Sequence, residues 1–222
     1  MEEEIQAHIN EYESLGFTLL KKALPPHLHT ELINCCQHIL QLHQVDSEQI
    51  QYAHLNNNRQ VNRYFPRSHH IDSVSQTIDK IICNGPLKYI LSSFDRKLSI
   101  SKDHTIVSWM PEHIKKEFTG YHQDGPIGEQ MDGNLHVWVP ITDNRRTNFK
   151  IIPNTHKIGN LPHSMFGQFV KVDETYIEPF VQDALAIKVE VGDILIFSTR
   201  ALHCLELNKQ DEICWSLEFI CE

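Results

Sequence analysis

His122, Gln123 and Asp124 stand together in the chain, and His203 follows much later. A His-x-Asp pair with one distant His supplies two imidazoles and one carboxylate. That donor set suits Fe(II), because three protein ligands leave positions open for a substrate and O2. Residues i and i+2 of a strand share one face, so His122 and Asp124 can hold the same ion. The third ligand is then expected from another strand across a barrel. With 15 histidines and 29 acidic residues, His-x-Asp pairs also arise by chance. The plain alternative is a turn pair beside a packed core histidine, and the neighbouring residues decide between the two.

The elements that must carry these ligands can be read from hydrophobic spacing. Ile5, His8, Ile9 and Tyr12 fall on one helical face, and Gly16 stops the helix before the apolar piece Phe17-Thr18-Leu19-Leu20. Pro25-Pro26 open a second helix with Leu28, Leu32, Ile33, Cys36, Ile39 and Leu40 as its buried stripe. A polar stretch runs from Asp46 to Arg67, a third helix covers Ile71 to Ile82, and a fourth follows Pro86. From Leu98 the texture changes to short β-type runs: Thr105 to Trp109, Leu135 to Val139, Phe149 to Ile152, Ala186 to Val189, Ile194 to Phe197 and Ile213 to Ile220. Many short strands after a helical prelude predict a β-barrel or sandwich backed by helices. We expect one domain over 1–222, with a helix-rich part over 1–97 packed on a β core over 98–222.

Composition narrows the function classes. The length is enough to bury a sizeable core, and 41% hydrophobic with 22% charged residues fits a globular protein. The net charge of -9 with no basic block argues against nucleic-acid binding. No apolar run reaches transmembrane length, and Met1-Glu2-Glu3-Glu4 is unlike a signal-peptide start. The six cysteines have neither zinc nor disulfide-framework spacing, so we expect reduced thiols in a cytoplasmic protein with no membrane partner.

Further motifs surround the three ligands. Leu135-His136-Val137-Trp138-Val139-Pro140 follows the His-x-Asp loop, then Ile151-Ile152-Pro153-Asn154-Thr155-His156-Lys157. Gly192-Asp193 marks a tight turn launching Ile194-Leu195-Ile196-Phe197 toward His203. In their order and spacing, these motifs resemble the phytanoyl-CoA dioxygenase-like family of Fe(II)/2-oxoglutarate oxygenases over almost the whole chain. Tyr12-Glu13-Ser14-Leu15-Gly16-Phe17 is similar to the family's helix-to-strand opening, and Gln123 is its usual middle residue. Ile152 to Lys157 resembles an Ile-Pro-Gly-Ser-His stretch, with Asn154 in place of Gly. The resemblance implies a mainly β fold with flanking helices, a double-stranded β-helix (cupin-like jelly roll) backed by N-terminal helices. It implies His122, Asp124 and His203 as metal ligands, with Fe(II) and 2-oxoglutarate as cofactor and cosubstrate.

One position departs from that pattern. Family members place an Arg eleven residues after the distal His, against the far carboxylate of 2-oxoglutarate; here that position is Cys214. A guanidinium binds a carboxylate through two charge-assisted hydrogen bonds and a thiol cannot. No Arg follows His203, and Lys209 is the one cation there. We expect Lys150 first, and otherwise Arg200, to replace it, with Trp138 as a wall of the cosubstrate site. Other branches of this fold hold the cosubstrate with an inner-strand Lys. Arg63 and Arg67, in the polar stretch, are expected over the barrel mouth with His156 at the substrate. Together with Arg145 and Arg146 they suggest an anionic small molecule.

The expectation is thus a non-haem Fe(II)/2-oxoglutarate-dependent dioxygenase that uses O2 to hydroxylate a small organic molecule. Because of Cys214, two alternatives stand beside it: a non-catalytic relative serving as a binding or regulatory module, and a metal enzyme of the same barrel that does not use 2-oxoglutarate.

Overall fold

The structure is a computed structural model, and it describes residues 2–42, 71–83, 85–94, 105–109, 120–124, 134–143, 148–166, 169–206 and 214–221. Helix α1 (Glu2–Leu15) buries Ile9 and Tyr12 and ends at Gly16, whose φ is +88°. A side chain is strained in that left-handed region, and a Cβ at Gly16 would also collide with the His156 ring. Strand β1 (Phe17–Leu20) follows, then α2 (Pro26–Leu42), α3 (Asp72–Ile82) and α4 (Gly85–Ser93). The four helices fall where the apolar spacing places them.

The β part comprises β2 (Thr105–Trp109), β3 (Leu135–Pro140), β4 (Asn148–Ile151), β5 (His163–Phe166), β6 (Phe169–Val172), β7 (Leu185–Ile187), β8 (Ile194–Ser198), β9 (His203–Glu206) and β10 (Cys214–Cys221). One sheet has the order β1-β8-β3-β10-β2, a second β7-β4-β9, and β5 pairs with β6. The named pairings are antiparallel.

Strand alternation divides the large sheet into two faces. Leu135, Val137 and Val139 of β3, Ile194 and Ile196 of β8, and Trp215, Leu217 and Phe219 of β10 join the helices in one core. The residues between them, Trp138, Leu195, Phe197 and Cys214, turn the other way and pack with Phe149, Ile151 and Leu205 of the second sheet. The helices therefore back one face of the large sheet, and the opposite face lines the space between the sheets. That inward face carries the chemistry.

Two turns hold the sheet edges in register. Asp193, buried after Gly192, accepts from Lys21 Nζ at 2.8 Å, Glu190 N at 2.9 Å and Lys22 N at 3.0 Å. Burial works against its charge, yet the bonds from Lys21 and the two backbone amides outweigh this and hold its carboxyl below the usual range. Asn154 has φ +66°, the left-handed region that Asn tolerates better than most non-glycine residues. This is a physical reason for Asn where the resembling motif has Gly.

Candidate metal centre

His122 and His203 are joined directly. His122 N donates to His203 O at 3.0 Å and His203 N to His122 O at 3.1 Å, an isolated antiparallel bridge. The distal histidine therefore opens another strand, β9, as expected, but its backbone pairs directly with His122 instead of facing it across the barrel, which corrects that part of the expectation. Two residues on, Asp124 N donates to Thr199 O at 2.8 Å, so the loop bearing the carboxylate is tied to the turn between β8 and β9.

Gln123 fixes that loop in place. It is fully buried; its Nε2 donates to Gly159 O at 2.9 Å and Arg200 O at 2.6 Å, and its Oε1 accepts from Leu161 N at 2.8 Å. A middle residue with both a donor and an acceptor on one short arm is needed to join three segments. Its side chain faces away from the metal donors while His122 and Asp124 converge.

The donor atoms of His122, Asp124 and His203 all lie within 4.8 Å of one another. His122 Nε2 is 3.8 Å from Asp124 Oδ1, and His203 Nε2 is 3.5 Å from Asp124 Oδ2. His122 Nδ1 lies 3.0 Å from Gly120 O, and His203 Nδ1 lies 2.9 Å from Ala201 O. A carbonyl only accepts, so each Nδ1 carries the proton and each Nε2 presents its lone pair toward Asp124. The residues present fit a divalent cation.

The electrostatics agree with the tautomers. Burial, then the nearby His122, push the His203 imidazole down to about 3, so it stays neutral. Burial opposes charge on Asp124, but His203 and the His136 hydrogen bond outweigh it and hold the carboxyl well below its usual range. His203 is walled by Phe149, stacked at 5.6 Å, and by Phe197 at 4.7 Å. His122 is the most exposed of the three side chains, at 22% against 12% and 6% for Asp124 and His203. The centre thus opens on the His122 side.

His136 belongs to this site although its spacing does not announce it. Its Nδ1 is 2.7 Å from Asp124 Oδ2, and its ring stacks on Phe197 at 4.5 Å. The contact depends on β3 lying beside β8, which places His136 opposite Phe197. A histidine inside a β run gives no sign of this in sequence.

The other expected residues are placed as follows. Trp138 is buried on the inward face of β3, 5.6 Å from Phe149. Lys150 pairs with Cys204, whereas its neighbour Ile151 pairs with His203. Directly opposed residues share a face, so the register sends Lys150 to the side away from His203. This removes the reason for preferring it as the anion anchor. Arg200 is half-buried in the turn leading to His203. His156 is drawn away from the barrel, its Nε2 donating to Glu13 O at 3.2 Å beside Gly16, where it braces the end of α1. Arg63, Arg67, Arg145 and Arg146 lie outside the described residues.

Cys214 lies buried in the apolar cluster with Trp138, Phe149 and Leu205. The chelating end of 2-oxoglutarate would be held by the metal, for which the described donor set is present. A thiol cannot pair with its far carboxylate, and the hydrophobic cluster around Cys214 contains no cation among the described residues.

Antiparallel sheets facing one another, with a two-histidine, one-carboxylate cluster in which Asp124 and His203 are buried, define a cupin-like double-stranded β-helix with a candidate metal site. The family model Phytanoyl-CoA dioxygenase (PhyH) matches residues 12–209, and the chain belongs to that family. No curated protein sequence matches the chain. Among solved structures, it is similar to the epimerase SnoN in complex with Fe3+, α-ketoglutarate and nogalamycin RO. The TM-score is 0.65 at 12% identity, covering 100% of this chain and 84% of that one. EctD from S. alaskensis, with 2-oxoglutarate and 5-hydroxyectoine, gives a TM-score of 0.68 at 12% identity over 97% and 75% of the two chains. The carbocyclase SnoK from nogalamycin biosynthesis gives 0.60 at 15% identity over 97% and 83%. At these identities the likeness establishes the fold.

Proposed function

We propose that this protein is a non-haem Fe(II)-dependent oxygenase that uses 2-oxoglutarate and O2 to hydroxylate a small organic molecule. The observation that carries the reading is the convergence of His122 Nε2, His203 Nε2 and an Asp124 carboxylate oxygen, with both Nδ1 atoms committed to carbonyls. A complete donor set of this kind, buried and electrostatically prepared, supports a metal enzyme over a non-catalytic module. When bound, Fe(II) and 2-oxoglutarate supply the activation of O2 and the oxidation of a C–H bond.

The chain's own part is to hold and shield. His122, Asp124 and His203 would hold the cation, and a set of three protein ligands would leave it positions for other ligands. Gln123 keeps the ligand loop from drifting relative to the β8–β9 turn. Phe149, Phe197 and Trp138 form a dry wall behind His203. Arg200 takes first place as the anchor for the far carboxylate, since Lys150 leaves β4 on the opposite face; Trp138 on the inward face of β3 remains the proposed wall of the cosubstrate site. The proposal of an anionic substrate rests on Arg63, Arg67, Arg145 and Arg146 alone.

A second reading, a metal enzyme of this fold that does not use 2-oxoglutarate, is favoured by Cys214 and its apolar surroundings. Slow, substrate-independent formation of succinate separates the two. The Fe(II)-loaded protein is expected to make succinate from 2-oxoglutarate in air, and His203→Ala is expected to make none. Metal binding without succinate would favour the second reading.

A further inference from the structure

Beyond the three ligands, the inward face of the large sheet holds a line of polar side chains. His136 Nδ1 meets Asp124 Oδ2 at 2.7 Å. On the far edge of the same ring, Glu218 Oε2 stands 3.9 Å from His136 Nε2. Glu218 Oε1 in turn accepts from Ser216 Oγ at 2.9 Å. Among the described residues His136 Nε2 is buried and has no hydrogen-bond partner. Strand alternation brings Ser216 and Glu218 of β10 and His136 of β3 to the same interior, beside Trp138 and Phe197.

Burying polar groups costs free energy unless they are used or well paired, and apolar residues at these positions would complete the packing begun by Trp138 and Phe197. The member of the line that touches Asp124 is His136. A carboxylate on a short side chain turns about its last bond, and a metal ligand set suffers when one donor can turn away or offer both oxygens. His136 holds Oδ2, which lies 3.5 Å from His203 Nε2, and thereby fixes Oδ1 at 3.8 Å from His122 Nε2. Phe197 holds the His136 ring by its face, and Glu218 stands behind its Nε2.

We propose that His136, supported by Glu218 and Ser216, is a positioning residue that sets Asp124 as a one-oxygen ligand of the metal. The proposal rests on the reading that His122, Asp124 and His203 bind a cation. It concerns a residue outside the three-donor cluster.

The test is Co(II) affinity of the full chain, measured by competition with a coloured chelator, alongside the visible spectrum of the bound Co(II). Asn at 136 places an amide N–H near the position of His Nδ1, whereas Gln places it near Nε2, and Phe keeps the stacking on Phe197 but has no donor. We expect H136N to bind as wild type does, with an unchanged spectrum. H136Q and H136F are expected to lose about ten- to a hundredfold in affinity. Thermal unfolding of the metal-free variants checks that each folds, and the Asn–Gln comparison decides the matter if H136F does not. Equal affinities for H136Q and wild type would overturn the proposal, as would H136N no better than H136Q, which would assign the residue to packing. Absence of Co(II) binding by wild type would overturn the metal reading itself, whereas wild-type binding lost in His203→Ala would uphold it whatever His136 does.

Discussion

At the scale of single residues, the site depends on keeping His203 neutral and Asp124 charged. In the metal-free protein burial lowers the His203 imidazole from 6.5 to about 3. Between those values the unfolded chain binds a proton that the folded chain refuses, so stability falls as pH drops through that window. Asp124, also lowered from its ordinary value of 3.8, has the same sign: its contribution is present above that value and is lost as pH falls through the folded one. His136, raised above 6.5 because its bond to Asp124 outweighs burial, acts oppositely and favours the folded state below its folded value. We predict that the urea midpoint of the metal-free protein declines from pH 6.5 toward 4, and that His203→Leu flattens this decline. An equally steep decline in the variant would place the acid sensitivity elsewhere. Asn154 offers a test without titration. Replacing it with Ala at φ +66° is expected to cost about 1 kcal/mol or more, read as a lower midpoint, while Gly is expected to be neutral or better.

Among the elements, three segments meet at Gln123: the ligand loop, the 159–161 stretch and the β8–β9 turn. Gln123→Leu would fill the space but leave an amide and two carbonyls unpaired in the interior. The expected loss is about 1–3 kcal/mol in stability, with weaker metal binding because His122 and Asp124 flank it. Stability lost with metal affinity intact would show that the clamp does not serve the ligands. Gly16→Ala should cost about 1–2 kcal/mol from the left-handed backbone alone, and more through displacement of His156, read again in denaturant unfolding. The strands with clear alternation, β3, β8 and β10, are legible in sequence because one face meets the helices and the other meets the second sheet. The β5–β6 pairing is not, since His163-Ser164-Met165-Phe166 of β5 lacks the β-branched residues that mark the runs read from sequence. The pairing of His122 with His203 is likewise hidden, because a single bridge between distant residues has no local sign.

Across the molecule, helices and large sheet share one core, in which Ile39, Ile78 and Ile90 pack with Val137, Ile196 and Phe219. We propose that the chain is one domain. Circular dichroism of the helices and fluorescence of Trp138 and Trp215 should then report a single coincident transition, and two separate transitions would contradict it. At this scale the fold and the clustering of His122, Asp124 and His203 are the most legible features, because metal chemistry restricts residue type and spacing and the motifs keep their order along the chain. What Lys150, His156 and His136 do was not legible, since each depends on which face of a strand or loop the tertiary pairing exposes. Among the described residues no helix is long and apolar enough to cross a membrane. The central claim is that His122, Asp124 and His203 hold Fe(II) with open positions that 2-oxoglutarate occupies. The most direct test is an anaerobic titration of 2-oxoglutarate into the Fe(II)-loaded protein, watching for the visible charge-transfer band of the chelate. The account predicts a band that saturates and is absent in His203→Ala. Tightly bound iron that gives no band at saturating 2-oxoglutarate would contradict it, and Cys214 would then mark a barrel that has left that cosubstrate behind.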